Sequence, residues 1–401
     1  MKKYVLLLIF VTHLVSAKQL FYSSEMVNNK DLKNTEISAM LVQVNNELLL
    51  DGSKQFDIQL PNGINATAVF EKLKYHAKNR YSWYGHLKGQ PQEQIIISVV
   101  NGFYAGSIYT KAAVFELSSS NKNQMRISVL ATEAFPDCEG GVEVESSGVS
   151  NEIDQVLDYS NSGGTVKIDV MVVYSPQARD GAGGVAAIED TAQAAVDAMN
   201  LSFANSNVDA EATLSYTGLV DYDEANSPES PLSWVRGNGT VAGLRNTYGA
   251  DMVSLIVNDL SGCGTGYVMR NPGSGFAGSA FQVTKRSCAV GNLSFAHEFG
   301  HNMGLEHNPE NASVDPGDAS NPWSFGHYHS GSYRTVMSYF SPCANFCSRR
   351  QYYSNPDVQF NGLDTGVENS RDNARTLDQT VSIIAAFRPP AVDVIFEDGF
   401  D

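Results

Sequence analysis

Apolar positions follow two different patterns along the 401 residues. From Lys18 to about Asp158 they come in short alternating stretches, among them residues 39–44, 94–100 and 126–131. Turn residues such as Pro61-Asn62-Gly63 and Asn101-Gly102 separate these stretches. Alternation with a period of two puts one side of a strand in a core and the other in water, so this half is read as a β-rich domain. Residues 138–164 are then poor in large apolar side chains and end in Ser160-Asn161-Ser162-Gly163-Gly164. That composition reads as a linker, with a maturation cleavage expected between about Ser150 and Thr165.

Beyond the linker the pattern changes. Val166–Tyr174 (VKIDVMVVY) is a near-continuous β-branched run, as a buried strand requires. Residues 185–206 carry Ala, Met and Leu at helical spacing with few breakers and read as a long helix. Residues 212–220 and 251–257 read as further strands and 376–387 as a terminal helix. A strand, a helix and two more strands begin an α/β domain. No internal repeat is found.

At the start, Lys2 and Lys3 precede an apolar run, residues 4–15, closed by Val15-Ser16-Ala17. These are the parts of a secretory signal peptide. The run falls short of the about 20 apolar residues that span a bilayer. Residues 1–17 are therefore expected to direct secretion, and no later segment suggests a membrane partner. The chain is divided as 1–17 signal peptide, 18–164 N-terminal domain with linker, 165–390 α/β domain and 391–401 acidic tail.

Composition narrows the partners. Twenty-seven Lys and Arg stand against 44 Asp and Glu, for a net charge of −17. No basic run could track phosphates, so nucleic acid is not an expected partner. Hydrophobic residues at 42% against 18% charged exclude wholesale disorder. Of the five cysteines, Cys263, Cys288, Cys343 and Cys347 lie in the second half and Cys138 alone lies before it. Four leave three connectivities open, of which Cys263–Cys288 with Cys343–Cys347 is expected, and one thiol is left over.

The chemistry concentrates in residues 295–308, FAHEFGHNMGLEHN. His297 and His301 are four apart, so a helix sets them one turn apart on one face. Both imidazoles can then meet one tetrahedral ion. Glu298 follows the first histidine and projects beside the metal, where it can hold a water. Gly304 can take a left-handed conformation that ends the helix, and His307 arrives as a third ligand. Three nitrogens leave a fourth position open, the mark of a catalytic zinc site.

The HExxHxxGxxH pattern resembles the zinc signature of the metzincin metalloendopeptidases. Thr335-Val336-Met337-Ser338-Tyr339 resembles their Met-turn. The resemblance implies that Met337 forms the floor beneath the metal and that Tyr339 helps stabilise the oxyanion. VKIDVMVVYSPQAR, DMVSLIVND and YSNPDVQFNG make residues 166–388 similar to bacterial secreted metzincins of the reprolysin-like and peptidyl-Asp metallopeptidase type. Two features depart from the reprolysins: Asn308 stands where they carry Asp, and the Met-turn lacks their Cys-Ile-Met-Arg-Pro.

The fold implied is a mixed twisted sheet with a zinc helix, α/β (α+β) in class, behind a β-rich prodomain. Zn2+ is the implied cofactor, on His297, His301 and His307, with Glu298 as general base. Substrate would lie extended along a sheet edge near residues 264–270. Cys138, in Pro136-Asp137-Cys138-Glu139-Gly140-Gly141, offers a thiolate between residues that let the backbone lie in a cleft. It resembles the inhibitory cysteine of matrix-metalloprotease and adamalysin zymogens; the other reading is a spare or intermolecular thiol. Protein or peptide substrates, the prodomain in cis and a monomer are the expected partners and state. Asp315, Asp318 and Asn321 offer oxygens of the kind Ca2+ takes, but in no calcium-loop spacing. His327 and His329 read as surface histidines. The alternative is a secreted binding or adhesion module whose zinc site is structural or inactive.

Overall fold

The computed structural model describes residues 18–61, 63–144, 164–343 and 347–391. The expected signal peptide, Asn62 of the first turn, linker residues 145–163 and the tail from 392 lie outside the described residues.

Nine antiparallel strands form the N-terminal half: β1 (Phe21–Met26), β2 (Glu36–Val44), β3 (Gln55–Gln59), β4 (Asn65–Ala77), β5 (Arg80–Leu87), β6 (Gln90–Val100), β7 (Phe103–Tyr109), β8 (Val114–Asn121) and β9 (Gln124–Leu130). Their order is β1-β2-β9-β8-β7-β6-β5-β4-β3, and the bridge Gln19–Asp57 draws its two ends together. Alternate residues fill the interior, where Phe56, Trp83, Tyr104 and Phe115 are fully buried. On β5, β6 and β7 the other face is apolar too: Tyr84, Ile96 and Ala105 join the core of the C-terminal half. This double burial explains why 94–100 reads QIIISVV rather than as a strict alternation.

The second sheet has the order β10-β14-β15-β13-β11-β12, from β10 (Gly141–Val142), β11 (Val166–Tyr174), β12 (Ala210–Leu219), β13 (Met252–Val257), β14 (Gly264–Tyr267) and β15 (Phe281–Lys285). β11 lies parallel to β12 and β13, β13 parallel to β15, and β14 antiparallel to β15. Between the two sheets runs the helix Val185–Asn205. Its buried Ile188, Ala192, Ala195, Met199 and Phe203 recur at the spacing of one helical stripe.

One expectation changes. Residues 138–144 read as linker, yet Gly141–Val142 form β10, paired in parallel with Gly266–Tyr267. The bonds are to main chain: Glu139 N–H to Gly264 O (2.9 Å), Cys263 N–H to Asp137 O (3.3 Å) and Val268 N–H to Val142 O (3.0 Å). Ladder pairing asks nothing of side-chain hydrophobicity, so the composition gave no sign of it. The edge expected to receive substrate is covered here by the chain's own segment.

Past the zinc-motif helix the chain is irregular, with short strands β16 (Tyr328–His329), β17 (Tyr333–Arg334) and β18 (Ser348–Arg349). The terminal helix is Asn373–Ile384, begun earlier than expected because the Asp372 side chain caps it, accepting from Arg375 N–H at 3.0 Å. Cys263–Cys288 and Cys343–Cys347 are disulfides, and Cys138 is free.

Candidate metal centre

The helix Ser294–Asn302 turns Phe295 and Phe299 into the core and leaves His297 and His301 on the cleft side. It ends where Gly304 takes φ +89°, with Leu305 N–H bonded back to Gly300 O at 2.9 Å. A side chain there would be strained. The reversal brings His307 to the first two histidines: its Nε2 lies 3.2 Å from His297 Nε2 and 3.0 Å from His301 Nε2. Cys138 Sγ comes from the other half, 3.1 Å from His297 Nε2 and 3.2 Å from His307 Nε2. Among the described residues, these four are the one group of ligand-type side chains close enough to share an ion.

The donor set fits zinc. His297 Nδ1–H donates to Val336 O and His301 Nδ1–H to Leu305 O, each at 2.8 Å. Those bonds fix the tautomer and aim each Nε2 lone pair at the centre. Lone pairs converging at 3.0–3.2 Å repel unless a cation lies among them. A tetrahedron of zinc–nitrogen bonds has edges of about 3.3 Å. Three imidazoles and a thiolate are the borderline-soft donors that zinc selects.

The surroundings follow from the same folding. Val336, which receives the His297 bond, precedes Met337, which is fully buried. A Cβ on Gly300 would fall 2.3 Å from Met337 Sδ, so the turn lies hard against the helix. Tyr339 OH is 2.9 Å from Cys138 Sγ and donates to Cys138 O at 3.0 Å. Tyr339 N–H in turn donates to Asn308 Oδ1 at 3.0 Å. Glu298 is fully buried and neither carboxylate oxygen has a partner. Burial pushes its carboxyl well above the usual range. Burial, and then the charge of Glu298, push the Cys138 thiol up, while burial pushes His297 and His307 down. A divalent cation among the donors reverses that logic, favouring thiolate and carboxylate.

All seven residues singled out in the sequence (Cys138, His297, Glu298, His301, His307, Met337 and Tyr339) stand in or around this one cluster. His327 is half-buried, His329 exposed, and neither belongs to it; Asp315 and Asp318 are exposed. Two neighbours escaped the sequence reading. Asn308 was legible only as a departure from a pattern, although it anchors Tyr339. Arg349 is buried beside the site, donating to Asn292 O at 2.9 Å and Ser338 O at 3.4 Å, and no spacing signals it.

Residues 164–354 match the metallo-peptidase family M12 domain of the Reprolysin_5 type, a family that uses zinc. Peptidyl-Asp metalloendopeptidase from Xanthomonas campestris pv. campestris is 34% identical over 236 residues, covering 57% of this chain and 54% of that one. The same-named protein from Stenotrophomonas maltophilia is 32% identical over 57% of this chain and 54% of its own, and that from Pseudomonas aeruginosa 31% identical over 56% and 41%. The chain thus spans about half the length of these relatives. A solved structure of metalloproteinase-II from Bacteroides fragilis aligns over 67% of this chain and 86% of that one, at 12% identity and a TM-score of 0.39. Over residues 164–354, then, the chain is similar to metallo-peptidase family M12.

Proposed function

We propose that the chain is a secreted zinc metalloendopeptidase made in latent form, with the nine-stranded domain as prodomain and Cys138 as the latch. The observation that carries this is the convergence of three histidine Nε2 atoms and one thiol sulfur beside the orphaned Glu298 carboxylate. The signal peptide read at residues 1–17 supports secretion. The relatives' name supports a preference for peptide bonds next to aspartate.

His297, His301 and His307 would hold zinc, which would supply Lewis-acid polarisation of a carbonyl and lower the pKa of a water to about 7. Glu298 takes the proton of the attacking water and passes it to the leaving amine. Its burial without a partner leaves both oxygens available for that transfer. The Tyr339 hydroxyl, now held by Cys138, is placed to donate to the oxygen on which charge develops. Water is the nucleophile, so no acyl-enzyme forms. In latency, Cys138 holds the fourth position and residues 137–142 cover the β14 edge that substrate would use.

Casein hydrolysis by the Cys138→Ala chain, beside Cys138→Ala/Glu298→Ala at matched zinc content, tests the reading. Cutting by the first and not the second is expected. Stoichiometric zinc with no cutting by either would hand the lead to the binding-module alternative.

A further inference from the structure

Just past β14, the edge of the second sheet ends in a cation, Arg270. It follows Met269, whose N–H donates to His301 O at 3.0 Å, so its backbone is held beside the histidine helix. The guanidinium is divided among three acceptors. Nε donates to Glu306 Oε1 at 2.7 Å, Nη2 to Ser313 Oγ at 3.0 Å, and Nη1 to a carboxylate oxygen of Glu143. Glu306 and Ser313 belong to the stretch of chain around His307. Glu143 belongs to the segment that supplies Cys138.

The two carboxylates differ in kind. Glu306 is buried, its side chain 2% exposed, and losing its cation would leave a buried charge alone. That pair is part of the fold. The Glu143 side chain is 73% exposed, and it reaches Nη1 of an arginine that is itself 11% exposed. Nη1 is therefore open to a carboxylate arriving from solvent. An arginine needed only to neutralise Glu306 would be served by that one partner.

The backbone explains how Glu143 arrives there. Gly141 lies opposite Gly266 and Val142 opposite Tyr267, and Val268 N–H donates to Val142 O at 3.0 Å. The segment thus runs as an added strand from the histidine cluster to Arg270, and Glu143 is its next residue. Pairing with an edge through main chain holds any sequence, and the side chains along it meet whatever pockets the edge provides. A substrate laid on the same edge would bring one side chain to the place of Glu143, whichever way it runs. Five residues of extended chain from Cys138 to Glu143 cover about 16 Å. That place is several residues away from the bond to be cut.

We propose that Arg270 is a specificity-determining residue for an acidic side chain of the substrate several residues from the scissile bond, and that Glu143 fills this subsite in the latent chain. The inference rests on the peptidase reading above. It concerns a different position from the aspartate next to the cut bond that the relatives' name suggests. When the segment leaves, Arg270 stays tied to Glu306 through Nε and presents Nη1 to a new carboxylate. A guanidinium fork can serve both acceptors at once, whereas the single ammonium of a lysine held by Glu306 cannot.

Two measurements decide it. The first needs no catalysis. A synthetic peptide of residues 136–144, and the same peptide with Glu143→Gln, are bound to the zinc-loaded Cys138→Ala/Glu143→Gln chain. Binding about fivefold weaker for the Gln peptide is expected, and near-equal binding of the two once Arg270→Lys is added. An arginine with a structural role alone would shift both peptides alike. Equal binding of the two peptides, or an undiminished difference in Arg270→Lys, overturns the subsite. The second measurement needs no arginine variant to fail: kcat/KM of the Cys138→Ala chain on peptides in which one Glu or Gln is moved along both sides of the cut bond. A preference for Glu of about fivefold, carried by KM, is expected at one position about three or more residues from the cut. A preference confined to the residues next to the cut, or found nowhere, overturns the proposal. Cleavage of none of the peptides would count against the peptidase reading, and the binding comparison would still decide whether Arg270 takes an acidic side chain.

Discussion

Of the places where the N-terminal half buries polar groups against the C-terminal half, two would be completed in opposite ways. In the cleft, Cys138 faces three imidazole nitrogens, all acceptors, with spacings of 3.0–3.2 Å. A metal cation would complete that arrangement. Along the helix Val185–Asn205, strands β5–β7 cover Asp190 and Asp197, both fully shielded from water. Asp197 accepts from Ser82 Oγ and from Gln193 Nε2. Neither oxygen of Asp190 has a partner, and burial pushes its carboxyl well above the usual range. A proton completes that one. On the proposed reading, the same cover would answer to metal availability at one end and to pH at the other.

The sharpest separation removes chemistry while leaving both contacts in place. Glu298→Gln in the Cys138→Ala chain is expected to lower kcat by about 10²–10⁴. Zinc content should stay at one per chain. Melting temperature should hold or rise, because the replacement removes a buried carboxylate without a partner. Turnover and metal analysis on the same preparation check this. A proportional loss of zinc would move Glu298 from catalysis to the metal site's architecture.

Withdrawing the cation should break the cleft contact alone. Saturating a site a thousandfold above its dissociation constant stabilises the folded chain by about 4 kcal/mol, so a chelator should lower the melting temperature by several degrees. Cys138 should become reactive to thiol reagents at the same time. The pH profile of the helix seam should not move. Calorimetry with and without chelator at two pH values separates the contacts, and a seam that loosened with the metal would join them.

Much of this arrangement could be read in the residues, and the unread part has a physical reason. Val166–Tyr174 was legible to the residue because a strand buried on both faces leaves a continuous β-branched run. The convergence of His297, His301 and His307 was legible because helical spacing and one left-handed glycine fix their geometry locally. The pairing of residues 141–142 with β14 was not, since main-chain ladders leave no mark on side-chain composition. Arg334 opposite Arg349 was not legible either, because register between segments fifteen residues apart is set by the fold around them. Asp190 carries no sign of its burial. On the isolated helix it reads as a solvated position, and it is covered only because a second domain lies over it.

The seam should answer to pH. Asp190 has Asp197 on its own helix and Arg80, Tyr81 and Tyr104 facing it from the sheet. Its folded pKa lies above the ordinary 3.8, so the folded chain keeps a proton that the unfolded chain has released. Stability is then full below that ordinary value and falls as pH rises through the folded one. Asp190→Asn should match wild type near pH 4 and exceed it at pH 8 by roughly 1–3 kcal/mol. Melting curves at the two pH values check the crossing; parallel curves would mean that the seam holds no such proton.

The smallest effect tests whether surface charge matters to the seam at all. Arg80 Nη2 lies 3.0 Å from Glu189 Oε2 across the two halves, with each side chain about one-fifth exposed. Partly exposed pairs of this kind contribute about 0.2–1 kcal/mol and weaken with salt. Arg80→Ala should therefore cost under about 1 kcal/mol at low ionic strength, and less at 0.5 M salt. It should have a second consequence that a pure surface pair would lack. The Arg80 charge holds the Asp190 carboxyl down against burial, so removing it raises that carboxyl further. The loss of stability with rising pH should then extend to a higher pH. Two melting series, one in salt and one in pH, separate the effects: salt sensitivity without a displaced pH profile would make Arg80 a surface contact only, with no part in holding the proton at Asp190.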